Sequence, residues 1–85
     1  MTITELAKLK DLDLIARYTP GREVWIASFD GVEIKASGLL MSSFGEGMTP
    51  RDAVEDYAAV ISNETIVINA YSDDRQELHL GKVGY

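Results

Sequence analysis

The stretch "SSFGEGMTPRDAVEDYA", residues 42–58, decides how the chain is read, because a glycine-rich segment runs straight into a strongly patterned helix. Thr49 supplies a capping hydroxyl, and Pro50 stands at the first helical position, where its missing N–H costs nothing. Asp52, three residues after the cap, suits both a capping box and the positive end of the helix dipole. Ala53, Val54, Tyr57, Ala58 and Ile61 then recur at spacings of three and four, while Arg51, Asp52, Glu55 and Asp56 occupy much of the remaining surface. The pattern predicts an amphipathic helix from Pro50 that ends at Ser62-Asn63.

Two readings of the glycine-rich segment compete. As an anion site, Gly45, Gly47 and Thr49 would present backbone N–H groups to a phosphate at the helix start. A dinucleotide fingerprint, however, needs a third glycine where Pro50 stands, and a P-loop needs a Gly-Lys-Ser/Thr run that is missing. Glu46 also opposes a negative ligand. Helix initiation is the favoured reading, with the two glycines letting the chain turn sharply from sheet to helix.

Upstream, "LDLIARYTPGREVWIASFDGVEIKAS" clusters apolar, β-branched and aromatic residues between turn signals, which predicts an antiparallel meander. Its strands are Leu12 to Tyr18, Glu23 to Phe29 and Val32 to Ala36, joined by a type II turn at Pro20-Gly21 and a tight turn at Asp30-Gly31. Gly38 marks a bend before Leu39 to Phe44. Residues 2–10 read as a short helix capped by Thr2 or Thr4, with Ile3, Leu6, Ala7 and Leu9 near one side. Downstream, "TIVINAY" (65–71) is a strand, "SDDR" a turn and Glu77 to Leu80 a shorter strand, while the last residues, "GKVGY", read as loosely held. The expected fold is a single α+β domain over residues 1–85, an antiparallel meander with one main helix packed across it, in the order α-β-β-β-α-β-β.

At 85 residues there is room for one core, which buries roughly 60% of the unfolded surface. With no cysteine, the sequence offers no disulfide, thiolate metal site or cysteine nucleophile, and the expected compartment is the cytoplasm. No apolar run has the length of a signal peptide or a membrane span. Fourteen acidic against eight basic residues give a net charge of −6, which disfavours direct nucleic-acid binding and favours a basic partner; the same charge also serves solubility.

The chemistry-bearing residues are sparse. His79 is the single histidine and reads as a surface or edge-strand residue. Ser42, Ser43 and Ser62 lack a G-x-S-x-G elbow, so no nucleophile is assigned. Asp52 and Asp56 share a helix face that needs no substrate to explain it, and Asp73, Asp74 and Glu77 do not match a calcium loop. Neither a catalytic set nor a metal or cofactor is expected. Glu46, Asp52, Glu55, Asp56, Asp73 and Asp74 are the acids placed outward to meet a basic protein. Trp25 and Ile26 alternate on one strand, so one faces the helix and the other the opposite side; with Val67 and Tyr71 they are the residues assigned to a homodimer contact.

The run 23–62, "EVWIASFDGVEIKASGLLMSSFGEGMTPRDAVEDYAAVIS", followed by "TIVINAYSDDRQEL" (65–78), resembles small, uncharacterised proteins encoded in bacteriophages and prophages. These share a Gly-x-Gly-x-Thr-Pro-x-x-Ala-x-x-Asp-Tyr-like segment and a following hydrophobic strand. More distantly, the meander and helix start are similar to the HicB-type antitoxin domain, with Gly47, Thr49 and Ala53 matching its pattern and Asp52 replacing its glutamate. The resemblance implies a phage accessory protein and assigns no catalytic residue. The expected function is non-enzymatic binding of a host protein, such as a defence factor. A sponge for a small anionic signal and an antitoxin-like cap on a small nuclease are the alternatives.

Overall fold

The computed structural model describes residues 1–85. It is an α+β fold with two more strands than the expected order and two sheets rather than one meander. Helix α1 (Ile3–Lys10) opens with a reciprocal capping box, in which Thr2 Oγ1 accepts from the Glu5 N–H and Glu5 Oε1 accepts from the Thr2 N–H. It ends at Asp11, whose φ of 54° turns the chain out of the helix.

Strands β1 (Leu14–Thr19) and β2 (Val24–Phe29) form a hairpin. Its loop is wider than the expected type II turn: the Glu23 N–H bonds to the Thr19 carbonyl at 2.9 Å, and both Gly21 and Glu23 have positive φ. β3 (Val32–Ala36) and β4 (Leu39–Met41) form a second hairpin. The Asp30-Gly31 turn does not pair β2 with β3. The Asp30 N–H bonds to Asp13 O at 2.9 Å and Gly31 O accepts from the Ala70 N–H at 3.3 Å, so each side of the turn is tied to a different sheet. A φ of 71° at Gly31 permits the change of direction.

After the bend at Gly38, Leu39 to Phe44 holds only the short β4, and the glycine-rich segment beyond it is a separate strand, β5 (Gly45–Gly47), which crosses over to pair with β2. Sheet one is β1-β2-β5; sheet two is β4-β3-β6-β7, where β6 is Thr65–Ile68 and β7 is Gln76–His79. β6 stops short of Tyr71 because Asn69 has a φ of 54° and starts the turn.

Helix α2 (Pro50–Ile61) lies across β5 and β2. Ala53, Tyr57, Ala58 and Ile61 are its buried face, and the Tyr57 ring meets Phe29 edge-on at 5.5 Å. One hydrophobic cluster joins this face to Ile3 and Leu6 of α1, Ala27 and Phe29 of β2, Val32 and Ile34 of β3, and Ile66 and Ile68 of β6. The C-terminal residues are pinned, contrary to expectation. Val83 is buried in the same cluster, its N–H bonds to Ser62 Oγ at 2.9 Å, and Gly84 exchanges hydrogen bonds with Met1 and Ile3.

Candidate functional site

The glycine-rich segment is a strand beneath the helix rather than an open loop. Gly45 and Gly47 are not at positive φ, so they do not make a sharp turn. They form a strand on which α2 rests directly: a Cβ at Gly45 would drive into the backbone of Tyr57 and Ala53, and one at Gly47 would lie 2.5 Å from the Ala53 nitrogen. Thr49 is the helix cap, its Oγ1 accepting from the Asp52 N–H at 3.1 Å, but the Asp52 side chain does not close a capping box.

The six acids assigned to a partner do not form one patch. Glu46 is ion-paired with Arg22 of the β1–β2 loop, and Glu55 pairs with Arg51 one helical turn away. Asp56 accepts from the Glu46 N–H at 2.8 Å, tying β5 to α2. Asp52 lies in the first turn of α2, whereas Asp73 and Asp74 sit in the β6–β7 turn of the other sheet. His79 is exposed on β7 and its Nδ1 lies 3.0 Å from Thr65 Oγ1, as an edge-strand residue should.

The dimer residues separate as well. Trp25 packs against the core beside Tyr18, and Ile26 points to the opposite side of β2. Val67 is fully buried, so it offers nothing to a second chain. On its face of sheet two, Lys35 of β3 reaches over β6 to the Glu77 carboxylate of β7, at 3.0 and 3.1 Å, and closes that surface. Tyr71 is 81% exposed, but in a turn rather than a strand.

What the structure brings together instead is a cleft of about 550 Å³ lined from both sheets and from the β4–β5 connection. Its walls include Ile15 and Ile26 on sheet one, Phe44 on the connection and Tyr71 from the β6–β7 turn. On the β3 side lies Glu33, only 9% exposed. Glu33 Oε1 accepts from the Tyr71 hydroxyl at 2.8 Å and from Ser42 Oγ at 3.4 Å, while its Oε2 is buried with no partner. The bond to Glu33 holds the Tyr71 proton and pushes the phenol pKa upward, with the carboxylate charge adding to the effect. Asp30 and Arg17 are the other charged groups on the lining, both exposed.

Ser43 Oγ, also on the lining, is buried and unpaired. Behind it, the buried Tyr57 hydroxyl has no hydrogen-bond partner either. Burial raises its pKa above the ordinary phenol value; the nearby Phe29 backbone and Ser43 side chain pull it down, and the Glu33 charge raises it. Since His79 is engaged with Thr65 and is not on the lining, none of the cleft serines, Ser28, Ser42 and Ser43, has an imidazole base at hand. A smaller hollow between α2 and the C-terminal residues holds none of these unpaired atoms.

Sequence reasoning missed Glu33. The alternation of Val32, Ile34 and Ala36 with Glu33 and Lys35 reads as a half-solvated strand with Glu33 on the wet face, and the one available signal was an acid midway between two buried β-branched positions, Val32 and Ile34. Comparison with protein-family models, curated proteins and solved structures finds no match to this chain.

Proposed function

We propose that the chain is a non-enzymatic binding protein that docks a basic protein of a host cell, in keeping with the accessory role implied by its resemblance to phage-encoded proteins. The observation that carries this reading is Glu33: a nine-tenths buried carboxylate with one oxygen unpartnered, on the lining of an open cleft. Leaving a carboxylate oxygen dry and unpaired is costly, by roughly 1–3 kcal/mol or more for a charged group, and a cationic partner removes that cost. The net charge of −6 draws such a partner in. No comparable observation favours the anion sponge, and an antitoxin-like partnership is the same chemistry with a small nuclease as the basic protein.

Pull-down from host lysate with the wild-type chain, followed by mass spectrometry and binding of the purified partner, tests this. The expected partner is basic and binds directly in a one-to-one assay; an acidic partner, or none, overturns the reading. Self-association belongs to the same proposal, at an edge strand rather than a sheet face. β4 is an edge of sheet two with Leu39 68% and Met41 52% exposed, and its outer backbone groups are free to pair with a second copy. Sedimentation at tens of micromolar should show a dimer, and a strict monomer excludes it.

A further inference from the structure

We infer that the Glu33 cleft takes the side chain of an arginine presented by the basic partner, its guanidinium donating to the Glu33 carboxylate as the exposed Tyr71 side chain turns aside to admit it. The inference rests on the protein-binding reading above and names the group that reading leaves open.

Three features select this occupant. The first is acceptor geometry. Oε1 is engaged by Tyr71 and Ser42 while Oε2 is covered and unpartnered, so the carboxylate has acceptor capacity to spare once Tyr71 moves, and it cannot donate while ionised. The second is charge. Asp30 and Glu33 outweigh Arg17 on the lining, so a cation is favoured and a phosphate or carboxylate ligand is opposed. The third is the wall. Tyr71, whose ring is exposed while its hydroxyl is tethered to Glu33, and Phe44, 44% exposed, place aromatic surface beside the carboxylate. A guanidinium is planar, weakly hydrated and stacks on aromatic faces, whereas an ammonium holds its hydration shell tightly. Ile15 and Ile26 offer apolar surface for the aliphatic stem.

The test is titration of the full chain with N-acetyl-arginine methylamide, followed by amide NMR. Corresponding derivatives of lysine and of citrulline, the neutral isostere of arginine, are run beside it. The expected result is saturable shifts at Glu33, Ser42 to Phe44 and Tyr71, with the citrulline and lysine derivatives weaker by about tenfold or more, the scale of a lost charge-assisted pair. Glu33→Gln, which keeps the shape and the acceptor for Tyr71, should show no loss of Tm and lose the arginine response; Glu23→Gln, in the β1–β2 loop outside the cleft, should keep it. Equal binding of the citrulline or lysine derivative, shifts elsewhere, or no saturation overturns the inference, and these comparisons on the wild-type chain do not depend on any variant folding. Tighter binding of free L-arginine than of the blocked derivative assigns the cleft to a free amino acid and overturns it too. A partner held equally by wild type and Glu33→Gln refutes the arginine cleft and spares the protein-binding reading. Arginine-derivative binding with no basic partner does the reverse.

Discussion

Gly45 carries a contact that no other residue can make without moving a helix, because its α-carbon faces the backbone of Ala53 and Tyr57 rather than their side chains. Backbone cannot rotate aside, so Gly45→Ala should destabilise by about 3 kcal/mol, the upper end of overpacking costs, read from the urea midpoint. Thr49→Ala removes only the cap and should cost about 1 kcal/mol in the same assay, without touching the cleft. An equal cost for the two would mean that β5 and α2 separate readily. Tyr57 gives a third residue-scale outcome. Its folded pKa is raised by burial, so its contribution is fully present below the unfolded phenol value of 10.0 and is lost as pH rises through the higher folded value. Alkaline unfolding should therefore steepen above about pH 10 and soften in Tyr57→Phe. That variant also deletes an unpaired buried hydroxyl and should be no less stable at neutral pH.

At the scale of elements, what was legible in the sequence was whatever local chemistry dictates. Thr49 and Pro50 start α2 where their side chains require, Thr2, one of the two candidate caps, starts α1, and Val32 to Ala36 is a strand end to end. Elements set by distant partners were not legible. β5 reads as a loop because "GEG" has no strand propensity, and only its pairing with β2 and the helix lying on it make it a strand. Asp30-Gly31 reads as a hairpin turn because a turn signal says that the chain reverses, not which sheet each arm joins. Glu33 was hidden for the same reason: alternation placed it on the non-core face, and Tyr71, 38 residues later, closes over that face. The C-terminal "GKVGY" looked loose because two glycines flank a single valine, yet Ser62 and Met1 hold it. Val83→Ala should accordingly cost about 2 kcal/mol, as for a buried aliphatic truncation, and speed amide exchange at Ile3 and Gly84. A change within a few tenths of a kcal/mol would show that this segment is not part of the core.

For the whole molecule, the two electrostatic features act on different steps of association. The excess of acids is spread along the whole chain, α2 and the β6–β7 turn included, is mostly exposed, and acts at a distance on an approaching basic protein. Exposed charges are screened over about 10 Å at 0.1 M salt, so this part belongs to encounter and should fade as salt rises. Glu33 is buried and acts only after contact, where removing one member of a desolvated charge pair chiefly speeds dissociation. Stopped-flow binding to the purified partner separates the two. Combined Asp73→Asn and Asp74→Asn should lower the on-rate at low salt, leave the off-rate alone and lose their effect at high salt. Glu33→Gln should raise the off-rate at every salt concentration while the on-rate changes little. If instead the on-rate is flat from low to high salt, steering by the acidic surface is wrong; if Glu33→Gln shifts only the on-rate, its carboxylate lies outside the bound interface and the cleft is not where the partner docks.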